Sequence, residues 1–369
     1  MLDHITATMQ ATIRACLGLT GEPLTAVVDR RRHGSPFPVD SLAAASLAST
    51  LEAAAELMHA RTGHRPSMRV DPTHRALAFQ SERLLVPATP LGPLMEPLSR
   101  FARTKGGWIR LHANYPHHHR ALMRVLGEPG SAAEAVERIR SWDGGELEDR
   151  VHEAGGAAAV VRSQTDWEMH PQGRALGQGP LLEISSSDSE CGALAAQNAP
   201  LPCSGLRVLD LTRVIAGPVA TRMLAAFGAH VIRVDPLDRP ELRLHVLDGH
   251  VGKTPYVADF TNPADRRQVL EVLRSIDLVI LGYRPGAMAK FGLDPTQLAQ
   301  THPWISTVSL SAWGTAGPWA HRRGFDSLVQ AACGIAVACG TNETPGVLPV
   351  QALDHATGYL AAAAALRAQ

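Results

Sequence analysis

The chain carries no excess of charge of either sign: thirty-five Lys plus Arg stand against thirty-five Asp plus Glu. A net charge of zero leaves no global field to recruit nucleic acid or an anionic membrane surface, so any anion site must be local. Cysteine is scarce. The five residues Cys16, Cys191, Cys203, Cys333 and Cys339 are odd in number and contain no CxxC pair, which argues against a disulfide framework and a zinc site and points to reduced thiols in a cytoplasm. No apolar run reaches transmembrane length. The opening MLDHITATMQATIRACLGLTG carries Asp3 and Arg14 within its apolar pattern and lacks a long apolar core, against a signal peptide. What is present is ample material for a core: 369 residues, 45% hydrophobic and 19% charged, enough for two domains or more.

Gly205 to Pro236, GLRVLDLTRVIAGPVATRMLAAFGAHVIRVDP, is the most informative stretch. It reads as a short apolar strand, a Gly-Pro-punctuated turn, an amphipathic helix and a second strand, the opening β-α-β unit of a nucleotide-type fold. Strand-like runs then alternate with helical patterns: Val208 to Leu211, Val231 to Val234, Tyr256 to Phe260, Leu278 to Leu281 and Ile305 to Leu310. Runs such as LVIL are apolar on both faces, as in strands covered on both sides, so the expected fold is α/β, a doubly wound parallel Rossmann-like domain over 205–369. The small, polar, proline-bearing segment 185–204 reads as a linker. Before it, 91–184 reads as a smaller α/β domain and 1–90 as a helical segment with a helix-strand unit. Within the latter, Ser41 to His59 has helix-forming composition behind Asp40 as N-cap, and Ser67 to Phe79 looks extended.

Three groups of residues invite chemistry. The turn LTRVIAGP at Leu211 to Pro218 ends a strand and opens a helix whose first N–H groups suit a phosphate or a thioester-linked chain. It lacks GxGxxG, so a dinucleotide pyrophosphate has no glycine-lined approach. Lys253, Arg284, Lys290, Arg322 and Arg323 gather near strand ends, a pattern suited to a multiply phosphorylated ligand, although each alone reads equally as a solvated charge. Asp354 precedes the Ala-rich run HATGYLAAAAAL, either as a plain N-cap or as a carboxylate nucleophile with Gly358 leaving open space beside it. Asp40 stands before a similar Ala-rich run. The run His117 to His119 points its rings in different directions and makes a poor metal chelate, and Arg30 to Arg32 reads as a solvated basic turn.

Taken in order, GLRVLDLTRVIAGPVATRMLAAFGAHVIRVD, GKTPYVADF, DLVILGYRPGAMAKFGL, GFDSLVQAACGIAVACG and QALDHATGYLAAAAAL resemble the class III CoA-transferase family. The resemblance implies an acyl-CoA:carboxylate CoA-transferase that binds coenzyme A or acyl-CoA as substrate, keeps no permanent cofactor or metal, and takes a carboxylic acid as acceptor. It implies Asp354 as the acyl-carrying nucleophile. Val214, Ile215 and Ala216 match the turn lining the CoA thiol end, Lys253 a basic residue of a GKRS-like segment, and Tyr283 an adenine contact. Lys290 replaces a common Arg, Arg323 aligns with a cation near the phosphates, and Asp326 with an assisting acid. Phe325 stands where the racemase branch has a His, so a two-base racemase or isomerase would lack one proton carrier. The alternatives are that racemase branch and a catalytically decayed CoA-binding protein. An interlocked homodimer in the cytoplasm is implied, with neither nucleic acid nor membrane as partner.

The first half resembles the same family out of order. DSLAAASLASTLEAAAELMHARTGHRPSMRVDPTHRALAF looks like a late helix and following strand, whereas GGWIRLHANYPHHHRALMRVLG and AAVVRSQTDWEMHPQGRAL look like parts of a small domain. The chain thus reads as the tail of one copy fused to the head of another, either completing the fold in a permuted arrangement or forming a fragment.

Overall fold

The computed structural model describes every residue except 1, 27, 29–32, 92–94 and 186–198. The basic turn Arg30 to Arg32, Cys191 and most of the expected linker lie outside the described residues. Among the described residues the strands are β1 (Phe101–Arg103), β2 (Trp108–Leu111), β3 (Ala158–Val160), β4 (Arg207–Leu211), β5 (His230–Pro236), β6 (Thr254–Ala258), β7 (Leu278–Leu281) and β8 (Ser306–Ser309). The chain divides into two units. The first comprises Met1–Val86, Pro180–Leu310 and Ala352–Gln369, and the second Pro87–Gly179 and Ser311–Gln351. The segment 311–351, assigned from sequence to the Rossmann-like stretch, therefore falls in the second unit.

In the first unit, five parallel strands lie in the order β6-β5-β4-β7-β8. Their pleat sorts the apolar run of each central strand to two sides. Val208, Leu278 and Ile280 face one core with Leu224 and Leu360, whereas Leu209, Leu211, Val279 and Leu281 face another with Val269, Leu273 and Leu298. Covering both faces is what a parallel sheet requires. The first side is built in depth. Helix Ala216–Ala226 and helix Ala352–Arg367 approach the sheet, and helix Val39–Thr62 packs beside Ala352–Arg367, with the Thr50 hydroxyl donating to the Tyr359 carbonyl at 2.8 Å. Both long helices are alanine-rich nearly all round, which suits helices buried on most sides. The N-terminal segment thus packs into the core on this side of the sheet, through Ile13, Leu17, Ala53 and Leu57.

Local sequence explains three departures. Pro72–Ala78, expected to be extended, is a helix: Asp71 accepts the N–H groups of Thr73 and His74 at 2.8 and 3.0 Å, and Pro72 holds the first helical position. Asp40 is not an N-cap. Helix Val39–Thr62 starts two residues before Ser41, after Pro38, and the Asp40 carboxylate instead accepts the His33 N–H at 3.1 Å and meets its Nδ1 at 3.0 Å. Asp354 likewise lies in the first turn of a helix that begins at Ala352 rather than at its cap.

The second unit holds an antiparallel sheet ordered β1-β2-β3. Ile109, Leu111, Leu122, Ile139, Leu147 and Val151 form its main core, and Trp313, Trp319 and Leu328 a second around Ala157 and Ala159. Helix Pro116–Val125 carries the histidine run, whose His118 is buried among the rings of His112, Tyr115 and Phe325; His112 stacks on Phe325 at 3.5 Å between ring centroids. Among the described residues no helix is long and apolar enough to cross a membrane.

Candidate active site

The site is organised by one carboxylate at the end of β4. Asp210 sits among the apolar residues Val208, Leu209 and Leu211 of its strand and is fully buried, so it survives as an anion only with partners. It has them. The Thr212 N–H and hydroxyl donate at 3.0 and 2.5 Å, the Thr221 hydroxyl at 2.6 Å and the Lys253 ammonium at 2.9 Å, with the Arg233 guanidinium 3.8 Å away. Burial alone would push its pKa up, but Lys253 and Arg233 outweigh that cost and hold it at about 2.

Lys253 is correspondingly turned inward. Its side chain is wholly shielded from solvent and also donates to the Pro218 carbonyl at 3.1 Å and the Thr221 hydroxyl at 2.6 Å. Burial pulls the ammonium down to about 8 despite the attraction of Asp210. The expectation of Lys253 as a phosphate-binding cation is thereby corrected: all three of its donors are committed to the fold, tying β6 to the start of helix Ala216–Ala226. Position in the chain placed this lysine near the strand ends, but the side chain follows the buried carboxylate.

Above this floor runs the turn Val214–Ala216. Val214 has φ +67°, in the left-handed region that a β-branched residue rarely adopts. Its N–H donates to Glu241 Oε2 at 3.0 Å, and the same oxygen takes the Arg213 Nε at 3.3 Å with Arg233 at 3.8 Å. The turn closes tightly because Gly217 is a glycine: a Cβ there would lie 2.2 Å from the Thr212 Cβ. Glycine in AGP thus permits the backbone to fold over the Thr212 side chain.

The same closeness brings helix Ala352–Arg367 to the turn. A Cβ at Gly358 would lie 2.6 Å from the Ala216 carbonyl oxygen and 2.7 Å from the Val219 Cβ. Gly358 leaves no open space, contrary to expectation; it is the point of contact. Asp354, one helical turn before it, is half-buried in the first turn, where the helix dipole favours a negative group. Its neighbour His355 is fully buried, stacks on Phe79 at 5.5 Å and meets Glu82 Oε2 at 3.0 Å. Burial pushes the Glu82 carboxyl up, but the hydrogen bond and charge of His355 prevail and hold it below its ordinary value. The N-terminal segment therefore grips the helix at the residue beside Asp354.

Tyr283 follows β7 and is half-buried against the second core, its phenol pushed up to about 12 by burial with Arg213 opposing. Lys290 is exposed in the turn Ala289–Phe291, its ammonium 4.7 Å from the centre of the Phe291 ring. The structure thus brings Val214, Ile215, Ala216 and the Asp354 helix together and leaves Lys290 at the surface. Arg323 and Asp326 belong to the second unit. There Arg323 accepts the Trp313 Nε1–H through its carbonyl at 3.2 Å, and Asp326 opens helix Asp326–Ala332, buried and bonded to Gln330. Burial draws Arg110 down to about 10, with the Asp326 charge opposing. Asp210, Arg233 and Glu241 went unread in the sequence. A charged residue inside the apolar run VLDL was the available signal for the first.

Residues 203–369 match the family model described as CoA-transferase family III. Among curated proteins, the chain is 33% identical over 189 residues to the probable fatty acyl-CoA transferase Rv3272 of Mycobacterium tuberculosis, covering 47% of this chain and 48% of that protein. It is 31% identical over 281 residues to an acyl-CoA transferase of Gibberella moniliformis, covering 70% and 49%. It is also 30% identical over 203 residues to the succinyl-CoA:glutarate CoA-transferase of Mus musculus, covering 51% and 45%. The chain spans about half the length of the curated relatives it matches. A crystal structure of Rv3272, orthorhombic form, aligns with a TM-score of 0.41 at 33% identity over 45% of this chain and 48% of that one. The match to CoA-transferase family III thus lies in residues 203–369, and the chain is similar to these transferases over about half of their length.

Proposed function

We propose that the protein transfers coenzyme A from an acyl-CoA to a carboxylic acid, with Asp354 as nucleophile. The observation that carries this reading is the close approach at Gly358, one helical turn after Asp354, of helix Ala352–Arg367 to the Ala216 carbonyl and to Val219. A thioester lying along the Val214–Ala216 turn meets the carboxylate. An Asp354 oxygen attacks the thioester carbonyl, the carbon–sulfur bond breaks, and CoA leaves as its thiolate to give a mixed anhydride. The thiolate returns to the Asp354 carbonyl and expels the first acid, leaving an aspartyl-CoA thioester. The acceptor carboxylate attacks that thioester, its carbon–sulfur bond breaks to release the CoA thiolate and form a second anhydride, and the thiolate then attacks the acceptor's carbonyl, taking the new acyl group and freeing the Asp354 carboxylate. Such anhydrides demand a site closed to water.

In this reading Val214, Ile215 and Ala216 line the thiol end, Tyr283 contacts adenine and Lys290 serves the phosphates. The working form is an interlocked homodimer in the cytoplasm. The test is exchange of labelled CoA between short-chain, dicarboxylyl and branched acyl-CoA donors and a panel of acids. Appearance of label in the acceptor thioester is expected for at least one pair. CoA binding without exchange for any pair supports the decayed binding protein instead, and α-carbon deuterium uptake without exchange supports the racemase branch.

A further inference from the structure

We infer that Glu241 is a positioning residue that holds the Val214 turn in its strained, substrate-binding shape, an inference that rests on the transferase reading above. Val214 combines two features that oppose each other. It is β-branched, and it holds φ +67°, a conformation that persists only where the surroundings impose it. What surrounds it is the Glu241 carboxylate, with 1% of its side chain exposed. One oxygen accepts the Val214 N–H at 3.0 Å and the other accepts the Leu242 N–H at 2.8 Å, fixing the carboxylate to its own backbone. Arg213, also bonded to the Pro240 carbonyl at 3.1 Å, and Arg233 flank it with positive charge. Arg233 is in turn held by Asp235 at 2.9 Å and lies 3.8 Å from Asp210.

A chain of fixed charges thus runs from the sheet floor through Arg233 to Glu241 and ends on a single backbone N–H in the turn. Its consequence is geometric. The peptide that precedes Val214 is held before any ligand arrives, so the turn keeps its shape without drawing on binding energy. Nothing in this arrangement requires Glu241 to touch the substrate. Loss of the lock is expected to misplace a bound thioester relative to Asp354 rather than to weaken its attachment.

The test is a double-mutant cycle on the full chain with Glu241→Gln and Val214→Gly, since glycine adopts φ +67° without help. Glu241→Gln is expected to lower kcat by about 10- to 100-fold while KM for the acyl-CoA changes less than about threefold. In the Val214→Gly background the same change should cost less than about threefold in kcat, and Glu241→Asp should recover part of the loss. Hydrogen exchange at the residue-214 amide is expected to speed up about tenfold in Glu241→Gln relative to wild type. Equal losses of kcat in both backgrounds, or unchanged exchange at that amide, would overturn the inference. If wild type neither binds nor exchanges CoA, the transferase reading fails, whereas the exchange measurement still decides whether Glu241 holds the turn.

Discussion

Helices Val39–Thr62 and Ala352–Arg367 look like repeats of one another: each is alanine-rich, each carries an aspartate in its first turn, and they lie side by side in one unit. Their aspartates live in different worlds. Asp40 is 3% exposed, its two oxygens occupied by the N–H and ring of His33. Asp354 is half-buried, on a helix whose next turn presses on the Ala216 carbonyl. Asp210 is of the first kind, buried and neutralised by Lys253 and Arg233. Asp40 and Asp210 are buried and held by fixed donors, whereas Asp354 differs in being half-buried, one turn before the close approach at Gly358. Residue type and helix context alone do not separate the two.

The strongest way to break the comparison is to neutralise both aspartates. Asp354→Asn is expected to lower turnover by about three orders of magnitude with CoA affinity retained, while Asp40→Asn leaves turnover within a few-fold. Steady-state kinetics beside calorimetric titration with CoA reads both. Next in size is Gly358→Ala. Its new methyl meets the Ala216 carbonyl oxygen and the Val219 Cβ, so the helix must shift and carry Asp354 with it. A loss of about 100-fold in kcat follows from a displacement near 1 Å, and a kcat equal to wild type would detach Asp354 from the turn.

Lys253→Met sharpens the comparison from the structural side. Leaving Asp210 without its nearest cation is expected to cost about 3–5 kcal/mol of stability in chemical unfolding, a penalty that a solvated phosphate-binding lysine would not incur. The pH dependence has a definite sign. The folded pKa of Asp210, about 2, lies below its ordinary 3.8, so its stabilisation is complete above that ordinary value and drains away as pH falls through the folded one. About 2 kcal/mol is lost across this interval in wild type, and less in Asp210→Asn. The smallest effect is Asp40→Asn on stability, about 1 kcal/mol from a weakened pairing with His33, measured as a shift of the unfolding midpoint.

Much of this architecture was legible from residues alone. LVIL and VLDL marked the central parallel strands because strands covered on both faces must be largely apolar on both, and the AGP turn announced a helix start where β4 ends. The direction of a long side chain was not legible. Lys253 belongs to a basic set by its place in the chain, yet it points down because Asp210 waits at the end of the neighbouring strand but one, a relation that exists only after β4, β5 and β6 align. Val214 gave no sign of its left-handed backbone, since the usual signal is a glycine or asparagine and the constraint comes from Glu241 in another loop. The helix Pro72–Ala78 was readable in principle, from Asp71 and Pro72 as a cap and first position.

The central claim is that Asp354, and not its look-alike, carries the acyl group. Incubating wild type with an acyl-CoA donor, trapping with hydroxylamine and mapping the modified peptide by mass spectrometry tests it directly. The expected result is a hydroxamate at Asp354 with Asp40 untouched. Efficient CoA exchange with no modification at Asp354, or modification at Asp40, would contradict the account.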